Sequence, residues 1–257
     1  MARPISACLI ACNEEAELAR CLDALRFVDE RVIVVDARSA DGTEKIARER
    51  ADRFEVRPYA GDIEQKSHCV ALARHDWVLI VDPDEVVPPA LGRELVETID
   101  RAGPDVAGIE IDRLTWHLGR WILHGDFHPD WTLRAFRRSR ARFAGRNPHG
   151  RIEVDGRVVR VRTPLEHYSY RDLADQIERI QHFSAQAAAA LDAAGRRARL
   201  RDLVTRPPAR FLRAYVLRGG FRDGVPGLVI AVATAFHVFL KYAKLWERQH
   251  VTRREPE

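Results

Sequence analysis

The segment "WVLIVDPDEVVP" at residues 77–88 opens as an unbroken apolar run and closes on three carboxylates, Asp82, Asp84 and Glu85, with Pro83 between the first two. A short apolar run that ends in such a turn reads as a buried strand. Its neighbours repeat the plan. Upstream, "ISACLIAC" is a strand candidate, and Asn13 then caps a helix in which Leu18, Cys21, Leu22 and Leu25 recur at helical spacing. "RVIVVDA" is a strand ending in Asp36, "RSADGT" a turn, and the residues around Glu44 to Arg50 a helix. "RFEVR" is a short strand and "DIEQKSHCVALARH" a helix. Past the acids, "PPALGRELVETIDRA" starts on proline and sets Leu91, Leu95 and Ile99 on one face. Strands alternating with helices predict a mostly parallel α/β sheet with helices on both sides. In such sheets ligands sit beyond the carboxyl ends of the strands, where Asp36 and Asp82 fall. Asp36 reads equally well as a turn former. The Asp82 and Asp84 pair reads as functional, because clustered carboxylates repel unless a cation or proton offsets them.

The chain has 257 residues and is 46% hydrophobic, enough for a substantial core. Its net charge of +4 is unevenly placed. Residues 171–257 hold 16 Lys/Arg against 9 Asp/Glu, while residues 1–170 hold 26 against 29. A basic C-terminal third suits phosphates, nucleic acid or an anionic membrane surface. Cys8, Cys12, Cys21 and Cys69 form no C-x-x-C pair and read as reduced residues of a cytosolic chain. The N-terminal "MARPISACLIACNEE" meets acids too soon for a signal peptide, and "VPGLVIAVATAFHVFL" at residues 225–240 is shorter than a membrane span.

From residue 105 the pattern changes. "VAGIEIDRL" is another strand, and "RIEVDGRVVRVR" reads as a hairpin turning on Asp155 and Gly156. Between them, "WHLGRWILHGDFHPDWTLRAFRRSRARF" reads as loop, rich in aromatic, His and Arg residues. "LADQIERIQHFSAQAAAALDAAG" is an amphipathic helix closed by Gly195, nine Arg follow between Arg196 and Arg222, and an apolar helix "LVIAVATAFHVFLKYAKLW" ends the pattern. This divides the chain into an α/β half at 1–104, a region of the same domain at 105–170 and a basic helical extension at 171–257. The spacing of His117, His124, His128, His149 and His167 matches no compact zinc pattern. Trp116, Trp121 and Trp131 suit either sugar stacking or core packing. The nine-Arg stretch interleaves Phe211, Leu212, Tyr215, Val216 and Leu217, which favours a lipid interface over a solvated face, with nucleic acid last.

Two carboxylates one residue apart at a strand end can share a hard divalent cation, Mg²⁺ or Mn²⁺, that keeps positions open for phosphate oxygens. Such a cation stabilises a departing diphosphate. A lone D-x-D is weak; here it closes a βαβ half-sheet and is accompanied by Asp36 and Lys66.

The blocks "ISACLIACNEEAELARCLDAL", "VIVVDARSADGT", "EQKSHCVAL" and "DWVLIVDPDE" resemble the donor-binding half of inverting family 2 glycosyltransferases. "GRWILHGDFHPDWTLRAFRR", "PHGRIEVDG", "LEHYSY", "RFLRAYVLRGGFRDGVPGL" and "FLKYAKLWE" resemble the small bacterial branch that includes lipopolysaccharide core β-1,4-glucosyltransferases. The resemblance implies a GT-A-like, Rossmann-type sheet, with an acceptor-side hairpin region and a helical C-terminal extension. It implies a nucleotide-sugar donor, UDP-linked, and a glycolipid or saccharide acceptor, while the basic, amphipathic C-terminal third predicts a place on the cytoplasmic face of the inner membrane. By position, Asp36 contacts uridine with Asp41 close by, Lys66 lies near ribose and phosphates, Asp82 meets the ribose or the metal, and Asp84 ligates the metal. Inverting transfer needs a base for the acceptor hydroxyl. The expected base is Asp130, with Arg134 one helical turn later pairing with phosphate charge. Glu85 is expected to face solvent or to favour the start of the next helix. Three departures stand out: Ala37 replaces a second Asp, His149-Gly150 replaces His-Glu, and Pro83 replaces a small residue. The competing readings are a polyprenyl-phosphate sugar transferase and a non-catalytic basic module that docks on membrane or nucleic acid.

Overall fold

The computed structural model describes residues 3–145 and 150–251. His149 lies outside the described residues. The chain forms two compact units, one of Met1–Arg113 with Asp130–His167 and one of Leu114–Pro129 with Tyr168–Glu257.

In the first unit the elements run β1 (Ile5–Ala11), α1 (Glu15–Ala24), β2 (Glu30–Asp36), α2 (Thr43–Arg50), β3 (Arg53–Arg57), α3 (Asp62–Leu72), β4 (Trp77–Ile80), β5 (Glu85–Val86) and α4 (Pro89–Arg101). β6 (Val106–His117) follows, and its last residues pair with β7 (Arg120–Trp121) in the second unit. Then come β8 (Trp131–Arg137), β9 (Ala141–Ala144), β10 (Arg151–Val154), β11 (Arg157–Arg160) and β12 (Leu165–His167). The sheet order is β3-β2-β1-β4-β8-β6-β12-β5. β1 to β4 pair in parallel, while β8 is antiparallel to both β4 and β6.

Strand alternation sorts the core. Ile5, Ala7, Leu9, Ile33, Val35 and Leu79 pack on the face covered by Leu18 and Leu22 of α1 and Leu91, Leu95 and Ile99 of α4. Cys8, Val32, Val34, Val78 and Ile80 pack on the other, against Cys69 and Val70 of α3. Burial on both faces is why these strands read as continuous apolar runs.

Three local expectations are corrected. Asn13 does not cap α1: it adopts φ of 56° and its side-chain oxygen accepts from the N–H of Ala40 at 2.8 Å, tying the β1 end to the loop after β2. Residues 151–162 are not a hairpin, since β10 pairs with β9 and β11 runs parallel to β6. The chain turns at Gly156, φ 146°, where a Cβ would lie 2.7 Å from the carbonyl oxygen of Asp105. The aromatic and basic stretch taken for loop contains β7, β8 and the start of β9, because central pairing outweighs the polar composition. Arg134 therefore stands on a strand rather than one helical turn from Asp130.

The second unit is helical: α5 (Leu173–Ala193), α6 (Leu200–Leu212), a π-helical turn at Arg213–Leu217 and α7 (Gly224–His250). Asp172 caps α5 by accepting from the N–H of Asp175, and Gly195 follows it with φ of 70°. Ala188, Leu191, Ala198, Leu203, Val238, Tyr242 and Leu245 pack these helices together.

Candidate active site

The acids that follow β4 are held by a closed turn. The N–H of Glu85 donates to the carbonyl of Asp82 at 2.9 Å, and the N–H of Asp82 donates back to Glu85 Oε2 at 2.9 Å. Glu85 then enters β5, which pairs antiparallel with β12, with His167 opposite Glu85. That pairing brings His167 Nε2 to 3.4 Å from Asp84 Oδ2.

Glu85 is fully buried, which corrects the expectation that it faces solvent. The turn folds it inward as the acceptor for two arginines from distant strands. Arg134 Nη2 of β8 donates to Glu85 Oε1 and, at 2.8 Å, to Asp82 Oδ2. Arg113 Nη1 of β6 lies 3.5 Å from Glu85 Oε1, and its Nε and Nη2 donate to Asp130 Oδ2 at 2.9 and 2.6 Å. Lys66 of α3 completes the chain, 2.9 Å from Asp82 Oδ1 and 3.6 Å from Asp62. Lys66, Arg134 and Arg113 thus alternate with Asp62, Asp82, Glu85 and Asp130.

This alternation sets the ionisation of each group. Burial pushes the Asp82 carboxyl up, but Arg134 and Lys66 outweigh it and hold the group well below the usual carboxylate range. Burial dominates at Glu85 and raises its pKa, opposed by Arg134 and reinforced by the charge on Asp82. Burial pulls Lys66 down, yet Asp82 leaves it above its ordinary value. Arg134, 7% exposed, is likewise raised by Glu85 and Asp82 against the effect of burial.

A cavity of about 570 Å³ opens over these groups, lined in part by Lys66, Asp82, Arg113, Arg134 and Phe143. Gly150 also lines it. A Cβ there would lie 2.3 Å from Ile63 Cγ1, so any larger residue at this position, including the Glu of the expected pattern, would have to displace the Ile63 side chain.

The other expected donor residues stand at the neighbouring strand end. Asp36, 3% exposed, is clasped by Arg38, whose Nε and Nη2 donate to Oδ2 at 2.9 and 2.5 Å, and whose guanidinium lies 4.9 Å from the Tyr59 ring centroid. These bonds, led by the Arg38 side chain, keep the Asp36 pKa low despite burial. Asp41 accepts from the N–H groups of Glu15 and Thr43, each at 3.0 Å, and joins the starts of α1 and α2. β1 lies between β2 and β4, which puts the ends carrying Asp36 and Asp82 two strand spacings apart, roughly 10 Å.

The donor set fits a divalent cation at Asp84 rather than at Asp82. Both Asp82 oxygens already meet Lys66 or Arg134, whereas Asp84 Oδ2 faces the imidazole Nε2 of His167 at 3.4 Å. Among the described residues no group of three His, Cys, Asp or Glu side chains could hold a metal by itself. Asp84 and His167 would supply two ligands, leaving the remaining positions to phosphate oxygens and water, as is usual for Mg²⁺. The other histidines are dispersed: His117 meets Gln176 at 3.1 Å and His124 meets Asp223 at 3.1 Å. Trp131 stacks under Arg160 at 4.5 Å, and Trp116 and Trp121 pack edge to face at 5.0 Å.

Residues 6–168 match the family described as glycosyl transferase family 2. The chain belongs to this family. The matched region spans the sheet and every member of the ion chain, and the parallel half-sheet continued by antiparallel β8 and β6 is its GT-A-like architecture. Over 260 residues this family 2 glycosyltransferase is 30% identical to the lipopolysaccharide core biosynthesis glycosyltransferase LpsC of Rhizobium meliloti (strain 1021), covering 98% of this chain and 95% of LpsC. It is also 30% identical over 262 residues to an uncharacterized glycosyltransferase of Rickettsia typhi, covering 95% of this chain and 87% of that one. Among solved structures, glucosyl-3-phosphoglycerate synthase from Mycobacterium tuberculosis, in complex with Mn²⁺, UDP and glucosyl-3-phosphoglycerate, shares 25% identity over 44% of each chain, with a TM-score of 0.37.

Proposed function

We propose that this glycosyltransferase moves a sugar, with inversion, from a UDP-linked donor to a saccharide of the lipopolysaccharide core, assisted by a divalent cation. The full-length likeness to LpsC supports the acceptor class. The observation that carries the donor reading is the ion chain itself: Lys66, Asp82, Arg113 and Arg134 border the cavity, and Asp84, two residues after Asp82, lies 3.4 Å from His167. Four carboxylates against three cations, with Asp84 in addition, leave an excess of negative charge that would repel a diphosphate unless a cation offsets it. Asp84 and His167 would hold such a cation, which when bound would supply positive charge to offset the diphosphate.

The residues of the chain do the rest. Lys66 and Arg134, which line the cavity, present donors to phosphate oxygens. Asp130 is the base. Its Oδ2 is fixed by Arg113 and its Oδ1 accepts no hydrogen bond among the described residues, so one oxygen is oriented and free to take the proton. As the acceptor oxygen bonds to the anomeric carbon, its proton passes to Asp130. The bond from that carbon to the diphosphate oxygen breaks, and its electron pair leaves with the nucleotide. Transfer from a panel of nucleotide sugars to a heptose-bearing core saccharide, with polyprenyl phosphate as the rival acceptor, tests this reading. Turnover on polyprenyl phosphate alone would move the acceptor to a lipid carrier.

A further inference from the structure

The helical unit carries apolar surface that its own packing leaves open. On α7, Val225, Leu228, Val232, Phe236 and Phe239 are exposed and recur every three or four residues, and exposed Trp246 follows two turns later, forming one stripe. At 1.5 Å per residue the stripe is about 30 Å long. The inner side of the same helix holds buried Ile230, and Tyr242 and Leu245, which pack with Ala188 and Leu191 of α5 and Leu203 of α6. α7 with the turn before it, Gly220–His250, is long and apolar enough to cross a membrane by length and composition.

The charges beside this apolar surface are mostly basic, with Glu247 an exposed carboxylate next to Trp246. Arg197, Arg199, Arg201, Arg213 and Arg222 are exposed, and among the described residues none has a carboxylate partner, although Arg206, Arg210 and Arg218 do. These free arginines alternate along the chain with exposed Leu200, Val204, Leu217 and Phe221. Apolar side chains interleaved with unpaired guanidinium groups match an anionic bilayer, which offers acyl chains and phosphate at adjacent depths. A second copy of the chain fits poorly, since a two-fold contact sets the same arginines against each other.

We propose that this surface docks the protein on an anionic phospholipid bilayer, with α7 lying in the interface and not crossing it. Crossing is opposed by what α7 carries on its inner side. Lys244 Nζ donates to the carbonyl of Gln181 at 2.6 Å and to Ser184 Oγ at 2.8 Å, fastening α7 to α5, whose Asp175, Glu178 and Arg179 would be drawn into hydrocarbon. An in-plane helix buries the stripe and leaves those charges in water.

Flotation of the full chain with vesicles separates the outcomes. Binding is expected to vesicles of phosphatidylcholine carrying about one-third phosphatidylglycerol, and to fall at least tenfold on phosphatidylcholine alone. R213E/R222E and F236E/F239E should each reduce binding to the mixed vesicles at least tenfold, with circular dichroism and transfer to a soluble saccharide unchanged. Release of the bound wild-type chain by alkaline carbonate is expected for an in-plane helix. Resistance to carbonate would overturn the in-plane placement. Equal binding by wild type and both variants would overturn the docking surface, as would a wild-type dimer that F236E/F239E converts to monomer without any effect on vesicles.

Discussion

Asp82 and Glu85 fasten each other across the turn that ends β4: each donates its backbone N–H to the other residue, at 2.9 Å in both directions. The same two side chains then share Arg134. The turn and the charge chain are therefore one unit, and a change in either partner is felt by the other.

Glu85 should matter for stability more than its place in the sequence suggests. Glu85→Ala leaves Arg134 buried with one partner fewer and removes the acceptor for the Asp82 N–H. Loss of one member of a buried ion pair costs about 3–5 kcal/mol. Urea unfolding is expected to show a loss of about that size; a loss below about 1 kcal/mol would mean that Glu85 is not the hub of the chain.

Asp130→Asn should separate chemistry from binding. The amide keeps the shape and can no longer take a proton, so kcat is expected to fall by about 10²- to 10⁴-fold. UDP affinity should stay within a factor of about two, because the donor charges come from other residues. Isothermal titration alongside initial rates checks both, and a matching loss of UDP binding would make Asp130 a structural partner of Arg113 only.

The depressed pKa of Asp82 gives a signed pH dependence. A carboxylate held low in the folded state stabilises the protein fully above its ordinary unfolded value near pH 4, and that contribution is lost as the pH falls toward the folded value. The stability gap between the wild type and Asp82→Asn should therefore be flat through neutral pH and narrow below about pH 4. Chemical unfolding at a series of pH values measures it. A gap that persists undiminished to about pH 2 would contradict the pairing with Lys66 and Arg134.

The parallel half of the sheet was legible because its strands are buried on both faces and so read as apolar runs such as "WVLIVD". The acids were legible because they follow such a run. Their partners were not. Arg134 comes from β8, a strand whose aromatic and basic side chains hide the alternation, Arg113 comes from β6, whose strand was legible but whose neighbours were not, and His167 reaches Asp84 only through the pairing of two very short strands. The burial of Glu85 was hidden for the same reason, since it is set by arginines 28 and 49 residues away in the chain. Asn13 resembled a helix cap locally, but its contact is with the loop at Ala40.

The central claim, that Asp84 and His167 hold a cation against the donor diphosphate, is tested most directly by calorimetric titration of UDP into the wild type, Asp84→Ala and His167→Ala, with Mn²⁺ and with chelator. UDP is expected to bind the wild type with Mn²⁺ at least tenfold more tightly than with chelator, a difference that both variants should abolish while their unfolding transitions stay near the wild-type value. UDP binding that is equally tight in chelator, or a Mn²⁺ dependence that survives both substitutions, would contradict it.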